Sequence, residues 1–251
     1  SDNAIVELFV MAPDGGNRVK VDLGEETDIY LARVDWAPDG TLYVQRQNRE
    51  QTRLDMLKVD PATGNSEVWF TEEAATEDYW INLSDSYRFL KDGSLLWWSE
   101  RDGYGQFYRF DGNDWQQLTS GDEPATSLVG VNEETDEFFY QATTNVLTQQ
   151  IYRASLDGQA GGVLLTDPGF TNSASMDEQG QTLLVSRSSP SQPPQSYLAD
   201  TDGQRLAWVQ ENALDADHPY APYLASHVWP EFGTLPAEDG TPLHYMMLKP
   251  E

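Results

Sequence analysis

A chain of 251 residues with a net charge of -27, from 42 acidic and 15 basic side chains, repels phosphate backbones and anionic lipid, which disfavours nucleic-acid and membrane-surface partners. The absence of cysteine excludes disulfides, thiolate metal sites and a cysteine nucleophile, and leaves the compartment open. Hydrophobic residues at 39% and aromatics at 12% suffice for a filled core, which excludes global disorder despite the charge.

The chain begins Ser1-Asp2-Asn3-Ala4, without the basic, apolar and small-residue layout of a signal peptide, and so reads as a mature, trimmed or internal start. No apolar run approaches the roughly 20 residues of a membrane span. The acids are dispersed, so there is no acidic tail. Lysines number four, Lys20, Lys58, Lys91 and Lys249. An acid-rich, lysine-poor surface fits a halotolerant source and ordinary solubility alike.

Residues 4–22 pattern as a hairpin, IVELFV at 5–10 and VKV at 19–21, about an Asp14-Gly15 turn. From there turn signals recur. In one series the glycines stand at 15, 64, 112, 158 and 203, with steps of 49, 48, 46 and 45. A second series interleaves at Asp39-Gly40, Asp92-Gly93, Thr135-Asp136 and Gln179-Gly180. Asp-Gly suits hairpins in which both turn residues reach positive φ. Between the turns lie short aromatic and branched runs: 41–45 with 53–59, 95–98 with 106–110, 138–140 with 149–152, and 182–185 with 195–198. Such runs favour pleated, half-buried sheet, and no 3.6-residue apolar stripe competes with them.

Four strands per repeat of about 45 residues is the unit of a β-propeller, an all-β fold. The predicted blades span about 27–72, 78–119, 123–166 and 170–210. Residues 4–22 read as the outer hairpin of a preceding blade. A truncated array exposes apolar faces at its ends, so a homodimer through exposed blade faces is expected. Four blades could close as a small ring or form an arc of a larger one, and the mid-blade start favours the arc. Pro219, Pro222 and Pro230 punctuate 211–232, an exit linker with one closing strand. Residues 233–251 open a new hairpin about Asp239-Gly240.

Three segments resemble the dipeptidyl peptidase IV family of prolyl-oligopeptidase-like serine peptidases. The most specific is Tyr79-Trp80-Ile81-Asn82, followed over 87–108 by YRFLKDGSLLWWSERDGYGQFY, in which Ser99-Glu100-Arg101-Asp102-Gly103 and the next aromatic are typical of bacterial members. The others are IYLARVDW at 29–36 and the tail DGTPLHYMMLKP at 239–250. The likeness covers essentially the whole chain.

It implies an eight-bladed propeller before an α/β-hydrolase domain, with this chain as the second half of the ring plus the first hairpin of the hydrolase. It implies a periplasmic or secreted location, a peptide substrate, the hydrolase domain as partner and no cofactor. The family's serine lies in a Gly-x-Ser-x-Gly elbow, which this sequence lacks. Its paired glutamates fall upstream of residue 1. No catalytic residue is therefore expected in this chain, and the propeller's part is to gate and position peptides. By the resemblance, the 82–86 loop, with Asn82, Ser84 and Asp85, faces the chamber between propeller and hydrolase. It is shorter than in mammalian relatives and lacks their Arg-Phe-Arg stretch.

Other candidates have bland readings. Glu25-Glu26, Glu72-Glu73 and Glu133-Glu134 read as solvated turn acids. His218, His227 and His244 lack zinc spacing, and His244 reads as half-exposed and structural. Asp200-Thr201-Asp202-Gly203 resembles a fragment of a calcium loop but suits a hairpin turn; no metal site is expected. Asn82-Leu83-Ser84 matches a common glycosylation pattern. The cluster Trp80, Tyr87, Phe89, Trp97 and Trp98 reads as blade-to-blade packing. Glu100, Arg101 and Asp102 read as an internal Arg–carboxylate pairing that fixes a tight turn. A stand-alone propeller that binds peptide or glycan is the rival function, and a glycoside hydrolase with paired carboxylates a third.

Overall fold

The computed structural model describes residues 3–249, except 77, 160 and the side chain at 144. Ser1, Asp2, Pro250 and Glu251 lie outside the described residues. The chain forms two compact units, 1–122 and 123–251.

In the first unit a two-stranded ribbon of β1 (Phe9–Val10) and β2 (Val19–Lys20) precedes two four-stranded antiparallel sheets. Sheet one is β3 (Ile29–Trp36), β4 (Leu42–Asn48), β5 (Arg53–Val59) and β6 (Ser66–Glu73). Sheet two is β7 (Tyr87–Phe89), β8 (Leu95–Ser99), β9 (Gln106–Phe110) and β10 (Trp115–Gln117). The second unit repeats the plan. Sheet three is β11 (Ala125–Asn132), β12 (Glu137–Asn145), β13 (Thr148–Ser155) and β14 (Val163–Leu164). Sheet four is β15 (Thr171–Met176), β16 (Leu183–Ser189), β17 (Gln192–Ala199) and β18 (Arg205–Gln210). Each sheet runs in chain order, the arrangement of propeller blades.

Up-and-down order puts the first-to-second and third-to-fourth turns at one end of a sheet. Both predicted turn series join those strand pairs, so every one lies at that end of its sheet. Their geometry differs from expectation. At 37–41 the Ala37 N–H donates to the Thr41 carbonyl at 2.9 Å and Gly40 N–H to Ala37 at 2.9 Å. Gly40 alone is left-handed, at φ 85; Asp39 is not among the positive-φ residues. Instead the Asp39 carboxylate accepts the Thr41 N–H at 2.9 Å. This is a type I turn closed by a left-handed glycine, with aspartate as the cap of the backbone two residues on. Asp136, at φ 55, takes the left-handed place where its turn has no glycine.

The opposite ends carry the irregular connections, 49–52, 74–86 and 100–105 in the first unit. Between sheets one and two lies an aromatic core: Tyr43, Leu54, Met56 and Phe70 from one, Phe89, Leu95, Trp97 and Phe110 from the other. A register shift between Met56 and Leu57 leaves Trp69 without a partner on β5. This bulge lets adjacent Trp69 and Phe70 both face sheet two, where they meet Phe110 edge-on at 5.0 and 5.3 Å. In the second unit Phe139 of β12 packs on Leu183, Val185, Tyr197 and Ala199 of sheet four. The sheets approach closely there: a Cβ on Gly130 would stand 2.5 Å from Met176 Sδ.

Gln45 on β4 is 1% exposed, and neither its amide oxygen nor its nitrogen has a hydrogen-bond partner. A buried amide without a partner destabilises the fold. Gln45→Met keeps length and volume without the polar atoms, and should raise unfolding free energy by about 1 kcal/mol in urea titrations. A loss of stability would mean that the amide has a favourable role.

Residues 211–230 contain a short 3-10 turn, Ala221–Ser226, opened by Pro222, and no strand, contrary to the closing strand expected there. The chain then forms the hairpin β19 (Glu231–Pro236) and β20 (Pro242–Met247). Among the described residues no helix is long and apolar enough to cross a membrane.

Candidate functional site

The irregular end of sheets one and two brings together the 79–86 connection and the 100–104 turn. Asn82 joins them: its Nδ2 donates to the Glu100 carboxylate at 2.6 Å, and its Oδ1 accepts from Trp80 Nε1 at 3.1 Å. Ile81 is fixed to the sheet-one turn by its N–H to the Gln51 carbonyl, and its own carbonyl accepts from Gln47. Ser84 Oγ accepts the Ser86 N–H. Asp85 pairs with Arg33 of β3 at 2.6 Å, which holds its carboxyl below the ordinary value. Tyr87, next along, donates to Asp35 of β3. Burial and that carboxylate push the phenol well above its ordinary value.

The loop is thus tied at several points, yet it presents Tyr79 (64% exposed), Trp80 (63%) and Leu83 (40%) outward, and the 100–104 turn adds Tyr104 (48%). The predicted packing role therefore fails for Trp80. It holds for Tyr87, Phe89 and Trp97, which lie in or against the core between the sheets.

Beneath this surface sits a charge that the sequence reading placed in solvent. Glu72 is 8% exposed and accepts from Trp97 Nε1 at 2.7 Å, from Ser99 Oγ, and from Arg101 at 3.3 Å. Arg101 also lies over the Trp115 ring at 3.9 Å and the Tyr108 ring at 4.7 Å. The Tyr108 hydroxyl donates to Asp102 at 2.6 Å. The expected pairing inside Glu100–Asp102 is therefore corrected: Arg101 pairs across the sheets with Glu72, while Glu100 holds Asn82 and Asp102 holds Tyr108. Gly103, at φ 100, turns the chain. Period-two spacing was the available signal: Phe70 with Glu72, and Trp97 with Ser99, share faces of their strands, and Arg101 follows Ser99 in the turn. A lone carboxylate on a core face needs partners, and the facing strand supplies them.

Asp55 forms a second buried centre. Arg46, Arg53 and Thr71 reach it at 2.6, 3.0 and 2.6 Å. Burial raises its pKa, but these donors outweigh burial and leave the carboxyl below its ordinary value. Glu25 and Glu26 are exposed turn acids, as read. His244 is exposed on β20, and Asp200 caps its own turn by accepting from Asp202 and Gln204 N–H.

The pattern of the dipeptidyl peptidase IV N-terminal region matches residues 1–194. The chain belongs to this family. A probable dipeptidyl-aminopeptidase B of Aspergillus oryzae is 28% identical over 258 aligned residues, covering 95% of this chain and 27% of the relative. A probable dipeptidyl peptidase 4 of Aspergillus flavus is 24% identical over 221, covering 83% and 28%. Among solved structures, dipeptidyl peptidase 4 of Porphyromonas gingivalis superposes with a TM-score of 0.87 at 21% identity, covering 99% of this chain and 35% of that one. A putative dipeptidyl aminopeptidase IV of Bacteroides ovatus gives 0.80 at 24%, covering 98% and 37%. The structural likeness speaks for the fold. The chain spans about a third or less of the length of these relatives. The four sheets are blades of the family's N-terminal propeller.

Proposed function

We propose that this propeller segment gates and orients peptides for a serine exopeptidase whose hydrolase domain lies elsewhere in the same protein, so that the segment itself does no bond chemistry. The observation that carries this reading is the aromatic surface of Tyr79, Trp80 and Tyr104, exposed while the loop beneath it is tied at Asn82, Ile81 and Asp85. A fixed loop with exposed rings can orient a flexible peptide at small entropic loss, and orientation lowers the barrier of a reaction elsewhere. Further support comes from sheet one. Val34 and Trp36 of β3 share a face with buried Val44 and Leu42 but are 44% and 56% exposed, a half-covered face suited to further propeller strands. The exposed hairpin β19–β20 suits contact with a following domain.

Two measurements test the reading. The purified 251-residue chain should not hydrolyse Gly-Pro-nitroanilide; sustained turnover would overturn the division of labour. In the full-length protein, Tyr79→Ala with Trp80→Ala should raise KM for a hexapeptide about tenfold relative to a dipeptidyl nitroanilide, the equivalent of about 1.4 kcal/mol of lost ring contact. Equal effects on both substrates would remove the loop from peptide positioning.

A further inference from the structure

Two of the three histidines, His218 and His227, lie in the segment between β18 and β19. Asn212 anchors this segment to sheet four. Its backbone is left-handed, at φ 44. Its carbonyl accepts from Gln192 Nε2 at 2.8 Å, and its Nδ2 donates to the Pro194 carbonyl at 2.9 Å, both on β17. Asn212 Oδ1 stands 3.1 Å from His218 Nε2, and His218 Nδ1 stands 3.0 Å from the Tyr220 backbone nitrogen.

A backbone N–H can only donate, so Nδ1 of His218 is the bare ring nitrogen. Nε2 then carries the proton and donates to Asn212. The bridge exists in one tautomer and only for the neutral ring. Tyr220 extends the chain, with its hydroxyl 2.7 Å from His227 Nδ1 and that ring against Trp229 at 4.3 Å. This second contact is not pH-selective. A phenol donates to a bare Nδ1 or accepts from a protonated one, so the contact survives with its direction reversed.

We propose that His218 is the sensor of a pH-sensitive latch: the neutral ring ties Tyr220 to Asn212 and so to β17, and the protonated ring releases it. The charged groups on its own segment are Glu211, Asp215 and Asp217. The Asp215 carbonyl accepts the His218 N–H, and its carboxylate accepts the Asp217 N–H. The β17 groups against the anchor, Gln192 and Pro194, are neutral, as are Tyr220 and Tyr223 on the 3-10 turn. What the latch controls is the path by which the hairpin leaves sheet four. β19 and β20 are exposed along almost their whole length, so the 211–230 segment rather than sheet packing sets their place. This inference stands apart from the peptidase reading.

The experiment is amide hydrogen exchange at Tyr220 in the whole chain from about pH 5 to pH 8, corrected for intrinsic exchange, with imidazole nitrogen shifts read by NMR. His218 should be the Nε2–H tautomer at pH 8. Where the nitrogen shifts report a doubly protonated ring, Tyr220 protection should be about tenfold lower, the worth of one hydrogen bond, while the β16 and β17 amides keep theirs. His218→Gln, whose amide does not titrate, should make Tyr220 protection independent of pH, and His218→Ala should lower it throughout. Unchanged Tyr220 protection while His218 titrates, an Nδ1–H tautomer at pH 8, or the wild-type pH response in both variants would overturn the latch.

Discussion

Glu72→Ala is expected to lower the unfolding free energy of the first unit by about 3 kcal/mol, as urea unfolding followed by tryptophan fluorescence would show. The size follows from what the carboxylate leaves behind. Arg101 is held between Glu72 and the rings of Trp115 and Tyr108, and Trp97 Nε1 points at Glu72 from a side chain that is 4% exposed. Truncation strands a cation and an indole N–H together. Glu72→Gln keeps an acceptor for Trp97 and removes the charge, and should lose about half as much. Glu72→Ala combined with Arg101→Met should recover part of the loss, since the stranded cation is then gone. A Glu72→Ala effect below about 1 kcal/mol would mean that the contacts are surface pairing, which is worth little.

The second large effect belongs to the other unit. Phe139→Ala should destabilise residues 123–251 by about 4 kcal/mol. Phe139 is 0% exposed and fills the space between sheet three and the Leu183, Val185, Tyr197 and Ala199 face of sheet four. The Met176 side chain of sheet four already lies against Gly130 of sheet three, where a Cβ would stand 2.5 Å from its Sδ, so the sheets have little room to collapse into the cavity. Phe139→Leu keeps most of the volume and should lose about 1.5 kcal/mol or less. Amide exchange would locate the effect: protection should fall in β12 and β16 together, because a propeller blade is held by its neighbours. A fall confined to sheet three would argue against sheet-to-sheet packing as the source of stability.

Four-strand repeats were legible in the linear pattern because turn chemistry is local. An aspartate that caps the backbone two residues on, followed by a glycine that can be left-handed, acts within five residues, and its recurrence marks the strand pairs without knowledge of the fold. The turn type was misjudged because Asp-Gly alone does not tell a two-residue loop from a longer one; the strand register decides that. The proline-rich 211–230 segment was legible as non-repeat, but the 3-10 turn that Pro222 opens was not.

The candidate site was legible only as a place. Asn82, Ser84 and Asp85 were singled out by resemblance, and the structure puts them in one tied loop. Their partners were hidden. Arg33 lies 52 residues from Asp85 and Glu72 lies 29 from Arg101, and charge type in a list does not reveal which acid meets which base. Trp80 and Trp97 look alike in a string, yet one is exposed and the other buried, because only Trp97 lies on a strand face that an adjacent sheet covers.

Composition and turn spacing were enough to dictate an all-β, cysteine-free repeat, since both act through single residues and their immediate neighbours. Which glutamate is buried and which tryptophan faces water depend on atoms far apart in the chain, and the packing of one sheet on the next selects them.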